Sequence, residues 1–273
     1  MPAFPLAEDF RTLWRMRALL AVLTRRDLAA RTAGSVGGWL WVWAPPLTTV
    51  AAYFLVFDVV FAMRVGAASA NTPSAATHVG TFLIVGMLPW TAFADAINRG
   101  MGSLIDAGPM LQKNPLPPSL FPARAVLGSA WVFAPLIVLL IVAYAPAHHF
   151  RPGAWTVLPL LAGQMLLSFL IAYLLAILTA ALRDVAQGVG LLLSVGVFLS
   201  PVLFPLAQFP ANWRWALWLN PMTAPVLGYQ SALLAGTAPP TVVWVALAGW
   251  LVALALLLNL ALSHSRDELV DWL

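Results

Sequence analysis

Ionisable side chains that could do chemistry are scarce in this chain. Its 273 residues include 14 Lys and Arg, 10 Asp and Glu, four His and no Cys. Asp58 and Asp95 fall inside apolar stretches, and each lies near enough to the end of its stretch to reach an interface. Asp95 and Arg99 are four residues apart, so they share one face of a helix and can form an ion pair. We interpret both carboxylates as structural groups.

The sequence lacks the motifs of enzymes and of nucleotide-binding proteins. It contains no HExxH metal pattern, no GxSxG nucleophile turn and no pair of carboxylates on one apolar stretch. The adjacent His148 and His149 fall in a short loop, where solvation is favoured over metal binding. The single lysine, Lys113, is not part of a GxxxxGK[ST] phosphate loop. We therefore predict no catalytic residue, no metal site and no cofactor in this chain, so that any ATP must be hydrolysed by a partner.

The composition is that of an integral membrane protein. Hydrophobic residues make up 62% of the chain and charged residues 9%, with a mean hydropathy of +0.88, whereas soluble domains are about 45–50% apolar. Thirteen of the 14 cations are arginines scattered between apolar stretches, which argues against a nucleic-acid partner. Glu8 and Asp9 come early, so no signal peptide is predicted. A coupled carrier usually keeps acids at the membrane midplane, and the apolar stretches here are almost free of charge there.

Six apolar stretches are long enough to cross a membrane as helices of about 20 residues. They comprise residues 38–63, 79–97, 123–144, 155–182, 185–204 and 241–262. An even number of spans places both termini on one side, which carries eleven of the cations: Arg11, Arg15, Arg17, Arg25, Arg26, Arg31, Arg99, Lys113, Arg124, Arg183 and Arg266. The other side has Arg64, Arg151 and Arg214. Because cytoplasmic loops carry the excess of Lys and Arg, both termini are predicted to be cytoplasmic.

Residues 1–37 are predicted to form a cytoplasmic segment that precedes one membrane domain, 38–273. Within this segment, residues 8–26 have a helical period whose apolar arc comprises Phe10, Leu13, Trp14, Met16, Leu20, Ala21 and Leu23. Arginines occupy the other arc, which is typical of an amphipathic helix lying in the membrane interface. Arg17 alone falls inside the apolar arc. It fits either a side chain that snorkels along its stem or a cation that faces a cavity or an anionic substrate.

The segment between the last two spans is too broken for another straight span and too apolar for a free loop. We predict a re-entrant helical hairpin over about residues 205–236, which dips into the outer leaflet and returns; its key residues are Pro201, Pro205, Trp213, Asn220 and Pro221. Non-helical backbone at that depth must lie against protein or a water-filled cavity. The alternative is an ordinary interfacial loop anchored by its tryptophans. The predicted fold class is thus an all-α membrane protein with six transmembrane helices.

Four blocks of sequence carry a family resemblance. They are residues 23–61 with TRRDLAART, 82–126 with GMLPW, 181–210 with LRD and SPV, and 218–236 with LNP. In this order they resemble the permease subunits of ABC transporters that export polysaccharides, namely O-antigen, capsule and teichoic acid exporters. The likeness covers about residues 8–240 and agrees with the topology given above.

The resemblance implies a complex of two copies of this chain with two cytoplasmic ATPase subunits, which bind ATP and Mg. It implies a gate helix at the cytoplasmic entrance, with Phe10, Trp14 and Arg17. Contacts to the ATPase are implied for Asp106, Leu111, Gln112, Lys113, Asn114, Arg183 and Asp184. Spans one and five would line the channel of the dimer, and the candidate lining residues are Trp39, Trp41, Trp43, Tyr53 and Phe57. Aromatic faces suit sugar rings, although aromatics on a spanning helix also serve as belt or packing residues.

The function implied by this resemblance is export of a lipid-linked polysaccharide, of O-antigen type, across the bacterial inner membrane. The same architecture could instead carry teichoic acid, capsular polysaccharide, or a small lipid or drug. From a different class, a membrane-embedded transferase acting on lipid-linked sugars would need a catalytic acid or base, for which Asp58 and Asp95 are the candidates.

Overall fold

The computed structural model describes residues 5–61, 64–65, 77–114, 116–144 and 152–265. His148, His149, Arg151 and Arg266, which figure in the sequence interpretation, lie outside the described residues. Within the described residues the regular secondary structure is helical except for a two-residue antiparallel pairing of β1 (Arg64–Val65) with β2 (Thr77–His78). The prediction of an all-helical architecture is therefore confirmed.

The helices of the described chain differ widely in length. In chain order they are α1 (Pro5–Arg15), α2 (Arg17–Thr32), α3 (Leu40–Tyr53), α4 (Val79–Asp106), α5 (Gly108–Leu111), α6 (Leu120–Tyr144), α7 (Pro152–Trp155), α8 (Val157–Ala181), α9 (Asp184–Gly196), α10 (Arg214–Leu217), α11 (Thr223–Leu233) and α12 (Thr241–Ser265). A π-helix, Phe54–Val60, continues α3, and 3₁₀ turns occupy Leu206–Gln208 and Ala211–Trp213.

Within the described residues, five helical stretches are long and apolar enough to cross a membrane. They are Leu40–Val60, Val79–Asp106, Leu120–Val142, Val157–Ala181 and Thr241–Ser265. The stretch predicted as the fifth of six spans, residues 185–204, contains the 13-residue α9, and its helix gives way to turns after Gly196. The sixth membrane crossing therefore stays a prediction.

Helix α4 is the centre of the molecule. It packs along α8 and α6 and also contacts α3, α9 and α11, and it continues to Asp106, well past the predicted end at residue 97. Its closest approach to α8 depends on Gly100, because a Cβ atom at that position would overlap the Cβ of Ala172. In contrast, α3 and α9 contribute no buried residue. The core is thus built on α4, while α3 and α9 present open faces.

The amino-terminal segment is two helices, so the prediction of one continuous helix over residues 8–26 is wrong. A turn at Met16, with φ −96° and ψ 20°, separates α1 from α2. The two helices contact different neighbours: α1 lies against α12, where the Leu6 amide donates to Asn259 Oδ1 at 3.4 Å, and α2 lies against α6. Because these contacts are between residues far apart in sequence, the helical period gives no sign of the break.

The glycines of α4 give a test of the packing between α4 and α8. Gly100→Ala is expected to lower the free energy of unfolding by about 1–3 kcal/mol, because an added methyl group overpacks the contact with Ala172. Gly102→Ala is the matched control, since its nearest neighbour is Asp106 Oδ2 at 3.8 Å. That variant should be neutral or more stable by up to about 1 kcal/mol through helix propensity. Thermal unfolding in detergent measures both, and equal midpoints for the two variants would contradict this account of the packing.

Candidate functional site

The residues predicted to form the gate lie around the turn between α1 and α2. The Phe10 ring packs edge-on against the Phe169 ring of α8, with centroids 5.6 Å apart. Trp14 is 73% exposed. The Arg17 guanidinium lies 5.4 Å from the centre of the Trp14 ring and donates to the Trp14 carbonyl at 3.3 Å. Phe10 therefore faces the helical core, whereas Trp14 and Arg17 form a pair at the surface.

Asp9 joins α1 to the core through a buried polar contact. The Tyr173 hydroxyl of α8 donates to Asp9 Oδ2 at 3.0 Å, and both side chains are almost completely buried. The Tyr173 ring also packs on Phe169, with centroids 5.8 Å apart. A buried carboxylate that is hydrogen-bonded fixes the position of α1 more specifically than an apolar face would. The sequence interpretation used Asp9 only as evidence against a signal peptide and missed this role.

A charged cluster lies where α2, α4 and α6 meet. Arg31 Nη2 lies 3.4 Å from Asp27 Oδ2, and Arg31 Nη1 lies 3.8 Å from Asp95 Oδ2. Arg99 Nε donates to Asp95 Oδ1 at 3.0 Å, which confirms the predicted pair, and the Ser129 hydroxyl donates to Asp95 Oδ2. Desolvation by burial lowers the pKa of Arg31 from its ordinary value, and the nearby Arg99 charge acts in the same direction. Two acidic and two basic side chains thus connect α2 to the central helix.

A cavity of about 260 Å³ adjoins this cluster and extends to α3. Arg31, Asp95 and Arg99 provide its polar lining. Its remaining wall consists of Trp41, Val42, Pro45, Pro46, Val132 and Phe133. The close approach of α2 and α6 here depends on Gly128, because a Cβ there would lie 2.9 Å from Arg31 Nη2 and 3.2 Å from Asp27 Oδ2. The cavity brings a predicted channel residue, Trp41, to the same site as the charged cluster.

The residues predicted to line the channel form two groups of rings along α3 and the π-helix. Trp39 and Trp43 have ring centroids 6.0 Å apart, and Tyr53 and Phe57 have centroids 6.1 Å apart. The three tryptophans of this set, Trp39, Trp41 and Trp43, are exposed, while Tyr53 and Phe57 are half-buried. Between the two groups lies an open groove of about 660 Å³, lined by residues from Trp41 to Tyr53. Trp39 immediately precedes α3, and the other four side chains lie on one continuous helical stretch, none of whose residues is fully buried.

Asp58, in the π-helix, caps the start of α4. Its Oδ1 accepts the Gly80 amide at 2.7 Å, and its Oδ2 accepts the Thr81 amide at 3.1 Å and the Thr81 hydroxyl at 3.0 Å. The first amides of a helix have no partner within the helix and favour a negative charge. Asp58 supplies both the acceptor and the charge from a neighbouring segment. This geometry agrees with the structural role assigned to Asp58 from the sequence.

The residues predicted to contact the ATPase lie at one end of the bundle. Asp106 ends α4, Leu111 ends the four-residue helix α5 and is buried, and Gln112, Lys113 and Asn114 form an exposed turn. Arg183 and Asp184 are exposed at the start of α9, just after α8. Because α4 contacts α8 at Pro89–Gln164 and again at Gly100–Ala172, the two helices run parallel and end on the same side. The exposed members of this set therefore share one end of the molecule.

Side-chain amides stabilise the irregular segment between α9 and α12. Asn220 Nδ2 donates to the Gly196 carbonyl at 3.0 Å and to the Leu199 carbonyl at 3.3 Å, while Asn220 Oδ1 accepts the Met222 amide. Gln230 Nε2 donates to the Pro201 carbonyl at 2.7 Å. These carbonyls lie at the last residue of α9 or just after it, where the helix can no longer satisfy them. Asn220 and Gln230 thus replace the lost helical hydrogen bonds.

The other hairpin residues mark the edges of this segment. Pro205 precedes the 3₁₀ turn Leu206–Gln208, and Trp213, 61% exposed, ends the second 3₁₀ turn. Pro221 precedes α11, which is largely buried. The Trp218 carbonyl accepts the indole N–H of Trp250, a residue within α12, at 3.2 Å. The segment therefore packs alongside the long helices and does not extend away from them.

The GMLPW element of α4 contacts this segment directly. A Cβ at Gly86 would lie 3.1 Å from Val202 Cα, and one at Gly196 would lie 2.9 Å from the Trp90 ring. Gln164 of α8 donates to the Pro89 carbonyl at 2.8 Å. The sequence interpretation considered only charged groups inside the spans and missed Gln164 and Gln230. An amide side chain within an apolar stretch is itself a signal of buried polar contacts.

Comparison with known proteins identifies this architecture. The described residues are predominantly helical and contain five helical stretches long and apolar enough to cross a membrane, which makes the chain a multi-pass membrane protein. Residues 18–234 match the family model for ABC-2 type transporters, so the chain belongs to the ABC-2 type transporter family. It is the membrane subunit of an ABC transporter, a role that is not itself catalytic, and the family implies an ATPase partner.

Curated relatives cover most of the chain. It is 29% identical to an O-antigen export system permease protein RfbA of Myxococcus xanthus over 266 residues, which is 96% of this chain and 97% of the relative. It is 26% identical to an O-antigen export system permease protein RfbA of Klebsiella pneumoniae over 221 residues, 80% of this chain and 81% of the relative. The similarity to the Myxococcus xanthus protein thus extends over nearly the whole length of both chains.

The role of Asn220 can be tested with a matched pair of variants. Asn220→Leu keeps the side-chain size but leaves the Gly196 and Leu199 carbonyls without their donor. Gly196 is only half-buried and Leu199 is exposed, so the loss should lie at or below the low end of the about 1–3 kcal/mol of a buried unsatisfied group. Amides around Gly196 and Met222 should therefore exchange hydrogen faster. Asn212→Leu, at an exposed position of the same segment, should leave exchange unchanged. Hydrogen-exchange mass spectrometry measures both, and unaltered exchange in Asn220→Leu would contradict the assigned role.

The charged cluster makes a prediction about stability. Asp95→Asn is nearly isosteric but removes the charge that faces both Arg31 and Arg99. Because Asp95 is 28% exposed, solvent screens part of the loss, and a decrease of about 1–2 kcal/mol in the free energy of unfolding is expected. Asp106→Asn, at an exposed helix end, is the control and should change little. Chemical unfolding measures the free energy of unfolding of both variants, and equal values for the two would refute the structural role of the cluster.

Proposed function

We propose that this chain is the channel-forming subunit of an exporter that moves lipid-linked polysaccharide of the O-antigen type across the bacterial inner membrane. The observation that carries the proposal is the match to an O-antigen export system permease over 96% of this chain and 97% of the relative. Teichoic acid, capsular polysaccharide, and a small lipid or drug are the other cargoes that the sequence resemblance allowed. The nearly full-length likeness to O-antigen permeases favours the first.

In the proposed topology the chain crosses the membrane six times with both termini in the cytoplasm. The uneven distribution of arginines supports this orientation. Helix α9 has 13 residues, which span about 20 Å of a hydrocarbon core about 30 Å thick. The turns that follow Gly196 would complete the crossing, and α10 and α11 would form the two arms of the re-entrant hairpin beside it. Asn220 and Gln230 supply the hydrogen bonds that such an irregular crossing requires.

The channel would form between two copies of the chain. Helices α3 and α9 have no fully buried residue in the single chain, so their exposed faces are available to form the walls of a shared conduit. The aromatic rings from Trp39 to Phe57 would then face the passing glycan. Sugar rings present C–H faces that stack on aromatic side chains while their hydroxyl groups stay hydrated. Such weak, repeated contacts suit a polymer that must slide.

ATP hydrolysis would take place in two copies of a separate ATPase subunit, which would bind ATP and Mg. The exposed residues Gln112, Lys113, Asn114, Arg183 and Asp184 share the end of the bundle where such a partner would dock. Helix α4 has 28 residues and is about 42 Å long. It reaches from this end to the stretch between α9 and the proposed hairpin, where Gly86 lies against Val202 and Trp90 against Gly196. Motion of the ATPase at Asp106 would therefore be transmitted along α4 to the outer segment.

The amino-terminal helices, within residues 1–37, would form the cytoplasmic gate. Asp9 and Phe10 dock α1 against α8, while Trp14 and Arg17 remain at the surface. In this position α1 can control lateral entry from the inner leaflet. A lipid-linked glycan would approach past Trp14 and Arg17, and displacement of α1 from α8 would open the path.

Genetic complementation tests this function. Deletion of the gene in its source bacterium should abolish surface polysaccharide and cause lipid-linked glycan to accumulate inside. The wild-type chain should restore export only together with an active ATPase subunit, because this chain has no phosphate loop of its own. Immunoblots of surface glycan and extraction of the lipid-linked pool provide the readout. The proposal would be refuted if the purified chain exported glycan in liposomes without any ATPase. It would also be refuted if the deletion removed teichoic acid or capsule and left O-antigen intact.

A further inference from the structure

The cavity between α2, α3, α4 and α6 has the features of a ligand site. We propose that it binds the phosphate group of a lipid at the membrane interface, with Arg31 and Arg99 donating to the phosphate oxygens. This inference rests on the proposed function in placing the cavity at the interface. The diphosphate of a lipid-linked glycan and the phosphate of an ordinary phospholipid share the chemistry that the site would recognise.

Arg31 has more hydrogen-bond donors than its neighbours can use. A guanidinium carries five N–H donors, and the Arg31 side chain is only 9% exposed. It donates to Asp27 at 3.4 Å, but its separation from Asp95, 3.8 Å, is too long for a hydrogen bond. Its Nε is buried without any partner among the described residues. Because a buried donor without an acceptor is costly, the site is stabilised by a ligand that supplies oxygen atoms.

Arg99 provides a second, movable cation at the mouth of the same cavity. Its side chain is 40% exposed and its hydrogen bond to Asp95 uses Nε, so its terminal nitrogens can donate to a ligand while that bond is kept. Phosphate is the anion that suits two guanidinium groups, because it accepts paired hydrogen bonds from each. Asp27 and Asp95 balance the two arginines, so the cluster has no net charge. Recognition must therefore come from short-range donors and not from a general attraction for anions.

The remaining walls of the cavity indicate a lipid. They are formed by Trp41, Val42, Pro45, Pro46, Val132 and Phe133, which offer acyl chains an apolar surface beside the two arginines. Trp41 is 65% exposed at the face of α3, and an indole ring at a polar–apolar boundary is typical of a membrane interface. A free phosphate ion would gain nothing from this wall. The combination of buried donors with an apolar wall favours a phosphate that is attached to a hydrocarbon tail.

Native mass spectrometry of the full chain tests the proposal. The delipidated protein in non-ionic detergent is titrated with dioleoylphosphatidylglycerol, undecaprenyl diphosphate, dioleoylglycerol and sodium pyrophosphate in separate arms. One saturable site is expected for at least one of the two phosphate-bearing lipids, and none for dioleoylglycerol, which lacks the phosphate. Equal occupancy by dioleoylglycerol would overturn the proposal. If pyrophosphate displaced the lipids and bound as tightly as they do, the site would be one for a free anion. That result would overturn the lipid assignment.

Variants locate the binding in this cavity. Arg99→Gln should weaken lipid binding about tenfold through the loss of one charge-assisted contact. Arg31→Lys keeps the charge that the fold requires but loses the planar fork, and should weaken binding to a similar extent. Arg26→Gln removes one exposed charge from the same helix and should change binding less than about twofold, since exposed charges contribute little. Unchanged binding in both Arg99→Gln and Arg31→Lys, or equal weakening in Arg26→Gln, would refute the site.

The outcome is independent of the test of export. The binding assay contains no ATPase and needs no complete glycan, so its failure would leave the complementation result intact. Conversely, a chain that fails to export O-antigen could still bind the phospholipid in this cavity. Circular dichroism of each variant establishes that a loss of binding does not reflect unfolding.

Discussion

A backbone carbonyl or amide that lies in hydrocarbon must find its partner within the protein, because no water is available there. Most of this chain meets the constraint with long helices. Where helix α9 ends at Gly196, side chains provide the hydrogen-bond partners instead: Asn220 donates to two carbonyls and Gln230 to a third. Gln164 of α8 also donates to the Pro89 carbonyl, although α4 continues through that position. Asn220 and Gln230 thus support the backbone where α9 ends, and the segment proposed to form the outer hairpin depends on them.

The same constraint governs the charged groups. Three carboxylates of the interior have defined structural roles, since Asp58 caps α4, Asp95 joins Arg99 and Arg31, and Asp9 accepts from Tyr173. In all three, the carboxylate connects two segments that are distant in sequence. Their positions fix α3, α2 and α1 around the central bundle. The hydrogen-bonding of Arg31 is less complete, because its buried Nε has no acceptor among the described residues.

Helix α4 gives the structure its mechanical continuity. It is in contact with α6 and α8 along its length, its carboxyl end leads to the α5 turn, and its GMLPW element touches the segment after α9. The open faces of α3 and α9 lie outside this frame. This long central helix with two helices that have no fully buried residue fits the proposal of a conduit formed between two copies of the chain.

The sequence by itself determined the membrane class, the family and five of the long helices, because hydrophobic length and ordered motifs are local properties of the chain. It also predicted the Asp95–Arg99 pair, since residues four apart on a helix must be neighbours. Only the tertiary structure decided the turn at Met16, the capping of α4 by Asp58 and the roles of Gln164, Gln230 and Asp9. Those features depend on contacts between residues far apart in sequence, and no helical period encodes which distant group will lie opposite.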